Sequence, residues 1–290
     1  MSTGSVLLDA AALRSLLPPS SLVSHLLSSL PFHSATVHSP TRQSFPINPD
    51  SSSSFFSCLP ASLASFDGTE LTLLRTSAVS ALASRFLSRD DSRVLVMVGS
   101  GALAPYLIRA HRSVRPGIEK VIIWNRSAAK ARDLARRLAE DEGGTKGGKV
   151  IFEHAEVLDE VIGLGDVVSC ATSSHDPIVL GKRLKQGAHL DLVGSFIPAM
   201  RECDDDALVR GRVFVDFEEA KAEAGELVGA FERGAISPED VVGTLVDLAG
   251  GLKVGRISPE DITVFKSVGT AIVDLLAAQL AYETHISGSP

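Results

Sequence analysis

VLVMVGSGALA, residues 94–104, decides the fold. Five apolar residues lead into Gly99-Ser100-Gly101, and the stretch from Ala102 to His111 reads as a helix. A buried strand, a tight turn and a helix N-terminus in that order let the backbone approach a pyrophosphate. The first helical N–H groups and the positive end of the helix dipole would then face its charge. Ala104 takes the place of the motif's third small residue, where helix and strand pack closely. Glycine turns after strands are common, so the turn alone does not establish a nucleotide site.

The next strand strengthens the reading. VIIWNRS, residues 121–127, is a second short apolar strand whose last residues should face the adenosine ribose. An NAD site usually places Asp or Glu there, to accept from the 2′-hydroxyl; here stand Asn125, Arg126 and Ser127. A guanidinium at that position can grip a 2′-phosphate with its planar fork of donors, which favours NADPH, with NADH as second choice. The other reading of Arg126 is a solvated residue opening the next helix.

Downstream, the pattern repeats. A helix is predicted over 128–140, a charged, Gly-rich loop over 140–149, strands over 149–155, 166–174, 189–196 and 212–217, and helices over 156–164 and 226–234. A connector then runs through Gly250-Gly251 and Gly255 to a strand and turn over 261–269 and a final helix over 270–283. Alternating strands and helices predict an α/β fold with a Rossmann-type, doubly wound parallel sheet. Small residues after the strands, as in Ala171-Thr172 and Gly194-Ser195, leave room for a dinucleotide across the sheet edge.

Upstream, 6–17 and 20–30 read as amphipathic helices separated by Pro18-Pro19, with a strand around Ala35 to His38. Residues 46–62, with four consecutive serines, read as a loop or disordered segment. Residues 71–74 read as a strand and the stretch from Ser77 as a helix, which puts Arg75 at their junction.

Composition narrows the function. The 290 residues carry a net charge of −7 and no basic stripe interleaved with aromatics, which argues against a nucleic-acid partner. Cys58, Cys170 and Cys203 lie far apart, and the histidines show no ligand spacing, so no metal and a reducing, intracellular setting are expected. No apolar run approaches the ~20 residues that span a bilayer, so no membrane partner is expected. Asp9 and Arg14 interrupt the N-terminal leucine-rich stretch, which argues against secretion.

The segments MVGSGALAP, IIWNRS, HLDLVGSF, ECDDDAL, AGELVGAFERG and DITVFKSVG together resemble the ornithine cyclodeaminase/μ-crystallin family over nearly the whole chain. The resemblance implies a smaller α+β dimerisation and substrate domain built from 1–88 and 263–290, a Rossmann domain over 89–262, and a homodimer. It implies hydride transfer between a nicotinamide and a C=N carbon beside a carboxylate. Within the family it looks most like the enzymes that convert 1-piperideine-2-carboxylate to pipecolate in plant systemic immunity, for which a chloroplast or the cytoplasm is the implied location.

Carried over residue by residue, the resemblance assigns the pyrophosphate to Gly99, Ser100, Gly101, Ala102 and Leu103, and the ribose to Asn125, Arg126 and Ser127. Ala171, Thr172, Val193, Gly194, Ser195, Lys266, Val268 and Gly269 would flank the nicotinamide half. Arg42, in PTRQ, and Arg75, in LLRT, match the family's two arginines for the substrate carboxylate, and guanidinium forks suit that task. The other reading of Arg75 is an arginine with a structural partner.

Two departures stand out. Where cyclodeaminases carry an acidic residue two places after the strand-five glycine, this chain has Phe196, which favours simple imine reduction. The segment 46–66 is also shorter than in the family and lacks its substrate-reaching lysine; no lysine precedes Lys120. The expectation is therefore a ketimine reductase acting on a small cyclic imino acid, weakened in turnover and dimerisation. The alternative is a protein of the μ-crystallin type that binds NADPH or a small ligand without turnover.

Overall fold

The computed structural model describes residues 6–34, 64–142 and 150–288. Arg42, Cys58, the strand expected at 35–38 and the loop expected at 46–62 lie outside them. The described chain begins with β1 (Val6–Leu8), α1 (Ala10–Leu16), α2 (Pro19–His33), β2 (Ala64–Phe66) and α3 (Gly68–Leu87). Next come β3 (Val94–Val98), α4 (Ala104–Val114), β4 (Lys120–Trp124), α5 (Ala128–Glu142), β5 (Ile151–Ala155), α6 (Leu158–Val161) and β6 (Val167–Cys170). The remainder is β7 (His189–Leu192), α7 (Asp205–Arg210), β8 (Gly211–Val215), α8 (Ala220–Glu223), α9 (Gly225–Glu232), β9 (Val241–Thr244), α10 (Leu245–Ala249), β10 (Ile262–Lys266) and α11 (Ala271–Ser287).

Eight strands form one sheet in the order β5-β4-β3-β6-β7-β10-β8-β9. Every pairing in it is parallel. Its first five strands follow the doubly wound order 3-2-1-4-5, whose direction reverses between β3 and β6. Alternation along the strands sorts the side chains. Val96 and Val98 of β3 join Val168, Leu190 and Val264 in a core on one face, while Leu95 and Met97 pack with α4 and α5 on the other. Phe214 and Phe265 also face the second side, where they meet Leu26, Leu82 and Leu276 of the helical layer formed by α2, α3 and α11. Inside, the Asp191 carboxylate of β7 binds His111 Nε2 of α4 at 3.1 Å and accepts from Ser169 Oγ of β6 at 2.7 Å, holding α4 to the sheet.

Several local expectations need correction. The first helix begins at Ala10, because Asp9 caps it by accepting from Ala12 N–H at 2.8 Å. The preceding Val6–Leu8 is a strand paired in parallel with Ala64–Phe66 in a separate two-stranded sheet. Residues 71–74 are not a strand. Asp67 accepts from Glu70 N–H at 2.9 Å and starts a single 20-residue helix, which buries Leu71, Leu74, Ala78 and Leu82 at helical spacing. Arg75 is therefore mid-helix. Within the expected connector, Val241–Thr244 forms the strand at one edge of the sheet, and a Thr244/Asp247 capping box starts α10. Strand β10 lies between β7 and β8, so the sheet runs on to Lys266.

Candidate active site

The turn after β3 is shaped by the reversal in strand order. Gly99 has φ +110°, donates its N–H to the Trp124 carbonyl at 2.8 Å, and lies so close to β6 that a Cβ would stand 2.6 Å from the Ala171 carbonyl oxygen. Only glycine fits both the dihedral and the space. At Gly101 a Cβ would meet nothing within 4 Å, so that side is open. Helix α4 then starts with no side chain capping its N-terminus, while the Ala104 and Tyr106 N–H groups donate to the Gly101 and Leu103 carbonyls and Pro105 has none to give. The Ser100 hydroxyl is buried without a hydrogen-bond partner, the kind of donor that a phosphate oxygen would satisfy.

These residues border a cavity of about 260 Å³, completed by Trp124, Asn125 and Arg126 from the end of β4, by Ala171–Ser174 after β6, and by Ile178. Arg126 is exposed at its side, and among the described residues no carboxylate lines it. Asn125 donates to the Ser127 carbonyl at 3.2 Å, shaping the turn into α5. The open glycine edge, the orphaned hydroxyl and the neighbouring guanidinium fit a nicotinamide dinucleotide. Ala102 and Leu103 carry the chain from this turn into α4.

The strand ends on the other side of β6 adjoin. Cys170 pairs with Leu192 and Leu192 with Lys266, so the segments starting at Ala171, Val193 and Ser267 leave the sheet side by side. Beneath them lies a buried polar cluster that sequence reasoning missed. Glu202 accepts from Thr172 N–H at 2.7 Å, Thr172 Oγ1 at 2.8 Å and Gly194 N–H at 2.7 Å. Glu226 accepts from Glu202 N–H at 2.6 Å and from the Ser195 hydroxyl. Lys266 donates to the Leu192 carbonyl at 3.1 Å and stands 3.8 Å from Glu226. All four side chains of Glu202, Glu226, Ser195 and Lys266 are fully buried. Lys266 and Ser195 are therefore spent inside the protein rather than facing an open cleft. Burial pushes the Glu202 carboxyl up to about 7, against the pull of Lys266. Glu226 stands just before the small, apolar run LVGAF, residues 227–231, and that placement was the available signal for its own burial, though not for its partner.

In the segment after β10, Asp216 accepts from Val268 N–H at 2.9 Å and Gly269 N–H at 2.7 Å. Burial holds its carboxyl above the usual range. Over Gly269 lies Arg75, whose Nη1 would be 2.7 Å from a Cβ there, while its Nε donates to Asp274 of α11 at 2.8 Å. Arg75 is thus brought to this sheet edge, and it also has a structural partner.

A larger cavity of about 480 Å³ lies at the opposite edge of the sheet, lined by Arg85, Arg89, Arg115 and Arg256 among others. Arg115 donates to the carbonyls of Ser84, Arg85 and Ser88, and Arg256 to those of Leu87, Asp261 and Ala188. Their donors are already used, so size does not make this the site.

Comparison with known proteins agrees with the geometry. Protein SAR DEFICIENT 4 of Arabidopsis thaliana is 46% identical, covering 97% of this chain and 98% of its own, over an alignment of 321 positions. That exceeds the 290 residues here, so the alignment contains positions with no counterpart in this chain. The Delta(1)-pyrroline-2-carboxylate reductase of Colwellia psychrerythraea is 38% identical over 76% of this chain and 68% of its own. In fold, the chain matches the Thermococcus litoralis Delta(1)-pyrroline-2-carboxylate reductase solved with NADH and L-proline, with a TM-score of 0.87, 23% identity and 98% of each chain covered. It also matches the iminosuccinate reductase of Paracoccus denitrificans solved with NAD+, with a TM-score of 0.68 and 30% identity over 78% of this chain and 67% of that one. The model of the ornithine cyclodeaminase/mu-crystallin family matches residues 58–289, from before β2 to the end of α11, and the chain belongs to that family.

Proposed function

We propose that this protein reduces a small cyclic ketimine carboxylate with NADPH, converting 1-piperideine-2-carboxylate to pipecolate. The observation that carries this is the cavity at the β3/β6 reversal, with its open glycine edge, the unpartnered Ser100 hydroxyl and Arg126 beside it. The pairing of that cavity with relatives named as imino-acid reductases supports the reaction class. The bound nicotinamide would supply the hydride. The chain's own task is to hold the acceptor carbon against the ring, which a guanidinium gripping the neighbouring carboxylate achieves. Arg75 is the proposed guanidinium, supported by its position over Gly269, with Arg42 as its proposed companion. Arg126 favours NADPH over NADH, since the cavity lining offers no carboxylate to the ribose 2′-hydroxyl.

We keep a second reading, a dinucleotide-binding protein with weak turnover. It is favoured by the relative's longer alignment and by the absence of any lysine before Lys120. Steady-state oxidation of NADPH by the purified protein separates the two. Consumption with 1-piperideine-2-carboxylate, and pipecolate as product, supports reduction; tight NADPH binding without consumption supports the second reading. Homodimerisation and the division into a Rossmann unit and a unit of both chain ends belong to the same proposal.

A further inference from the structure

Glu202 is not lodged in the sheet or in a helix; it lies in the segment 200–204, behind the strand ends that border the cavity. One carboxylate oxygen takes both donors of Thr172, and the other takes the Gly194 N–H. The fit is close: a Cβ on Gly194 would stand 2.4 Å from Glu202 Oε1 and 2.0 Å from the Thr172 carbonyl oxygen. Glu226 in turn fixes the Glu202 backbone N–H and the Ser195 hydroxyl. Thr172 is itself part of the cavity wall.

We propose that Glu202 is a positioning residue for the dinucleotide site, whose carboxylate ties the loop after β6 to the loop after β7 and so sets the wall on which the nicotinamide half rests. This rests on the dinucleotide reading above. All three contacts are donations to the carboxylate, and its charged form accepts them best. A proton on Oε2 would face the Gly194 N–H, and one on Oε1 would have to turn the Thr172 hydroxyl from donor to acceptor. Protonation or amide substitution therefore weakens the tie between the two loops. The groups facing Glu202 are Glu226 from α9, Lys266 from β10, its neighbour Cys203 and Cys170 from β6. Burial holds both thiols well above their usual range, which leaves them protonated near neutrality. Because Glu202 titrates at about 7, its charged fraction falls as pH drops through neutrality.

The test is NADH binding to the purified protein, followed by nicotinamide fluorescence from pH 8.5 to 6. NADH lacks the 2′-phosphate, whose own ionisation near 6 would confuse an NADPH titration. The wild-type dissociation constant should rise about tenfold on going from high pH to one unit below the midpoint, as the competent fraction shrinks. Glu202→Gln should bind weakly at all these pH values, about tenfold above the high-pH wild type, with a flat profile and a folded circular-dichroism spectrum. Thr172→Val deletes one donor to the charged form and should move the midpoint upward, which needs no Glu202 variant to fold. A flat wild-type profile, an E202Q profile that keeps the wild-type slope, or an unmoved midpoint in T172V would overturn the inference while leaving the functional reading intact. Failure of any NADH or NADPH to bind would overturn both.

Discussion

The two edges of the parallel sheet are furnished with similar chemistry and do opposite things with it. Where the strands start, Arg115 and Arg256 border the larger cavity with their donors already given to backbone carbonyls, several of them at the end of α3. Where the strands finish, the smaller cavity has a serine hydroxyl with no partner and an exposed arginine. Spent donors stabilise the fold; unspent donors can recognise a ligand. Cavity volume alone would have chosen the wrong edge.

The contrast breaks first at Gly99. Gly99→Val places a side chain 2.6 Å from the Ala171 carbonyl at a φ of +110°, and dinucleotide binding should weaken at least a hundredfold, about 2.7 kcal/mol, in a fluorescence titration. Arg126→Ala should weaken NADPH roughly 10- to 100-fold and leave NADH nearly unchanged, because only the former carries the phosphate for a charge-assisted contact. Equal loss for both cofactors would remove Arg126 from phosphate recognition.

At the other edge, Arg115→Ala should cost about 2 kcal/mol of stability by stranding the carbonyls at the end of α3, with a melting temperature roughly 3 °C lower and cofactor affinity unchanged. A loss of cofactor binding without a loss of stability would reverse the assignment of the two edges. Arg75→Ala should lower kcat/KM for the imine by more than tenfold, about 1.4 kcal/mol, without changing NADPH affinity. If the variant instead melts early with unchanged kinetics, its pairing with Asp274 is the whole of its role.

The parts of the fold that were legible in the sequence depend on neighbours in the chain. β3, the glycine turn and α4 could be read from one continuous stretch, as could the apolar cores of β4, β6 and β7. The failures arose where a polar residue serves a neighbouring structure. Asp9 looked like an interruption within a helix and is its cap, and Asp67, four residues before the stretch read as a strand, starts α3. Residues 71–74 are short and apolar enough to suit a strand or a helix; the Asp67/Glu70 pairing at the helix start was the deciding signal. Of the candidate site, the residues at Gly99–Gly101, Asn125–Arg126 and Ala171–Thr172 do come together around one cavity. The Glu202–Glu226 pair could not be foreseen, because the two residues are 24 apart and meet only once α9 packs behind the sheet edge. Arg42 lies outside the described residues.

The central claim is that this cavity delivers a hydride to the carbon of a cyclic imine. The most direct measurement uses NADPH carrying deuterium at the transferable position of nicotinamide C4, with 1-piperideine-2-carboxylate, and mass analysis of the product. Pipecolate should carry one deuterium at the carbon bearing the carboxylate and form in step with NADPH loss. NADPH that stays bound and unoxidised, or pipecolate without the label, would contradict it.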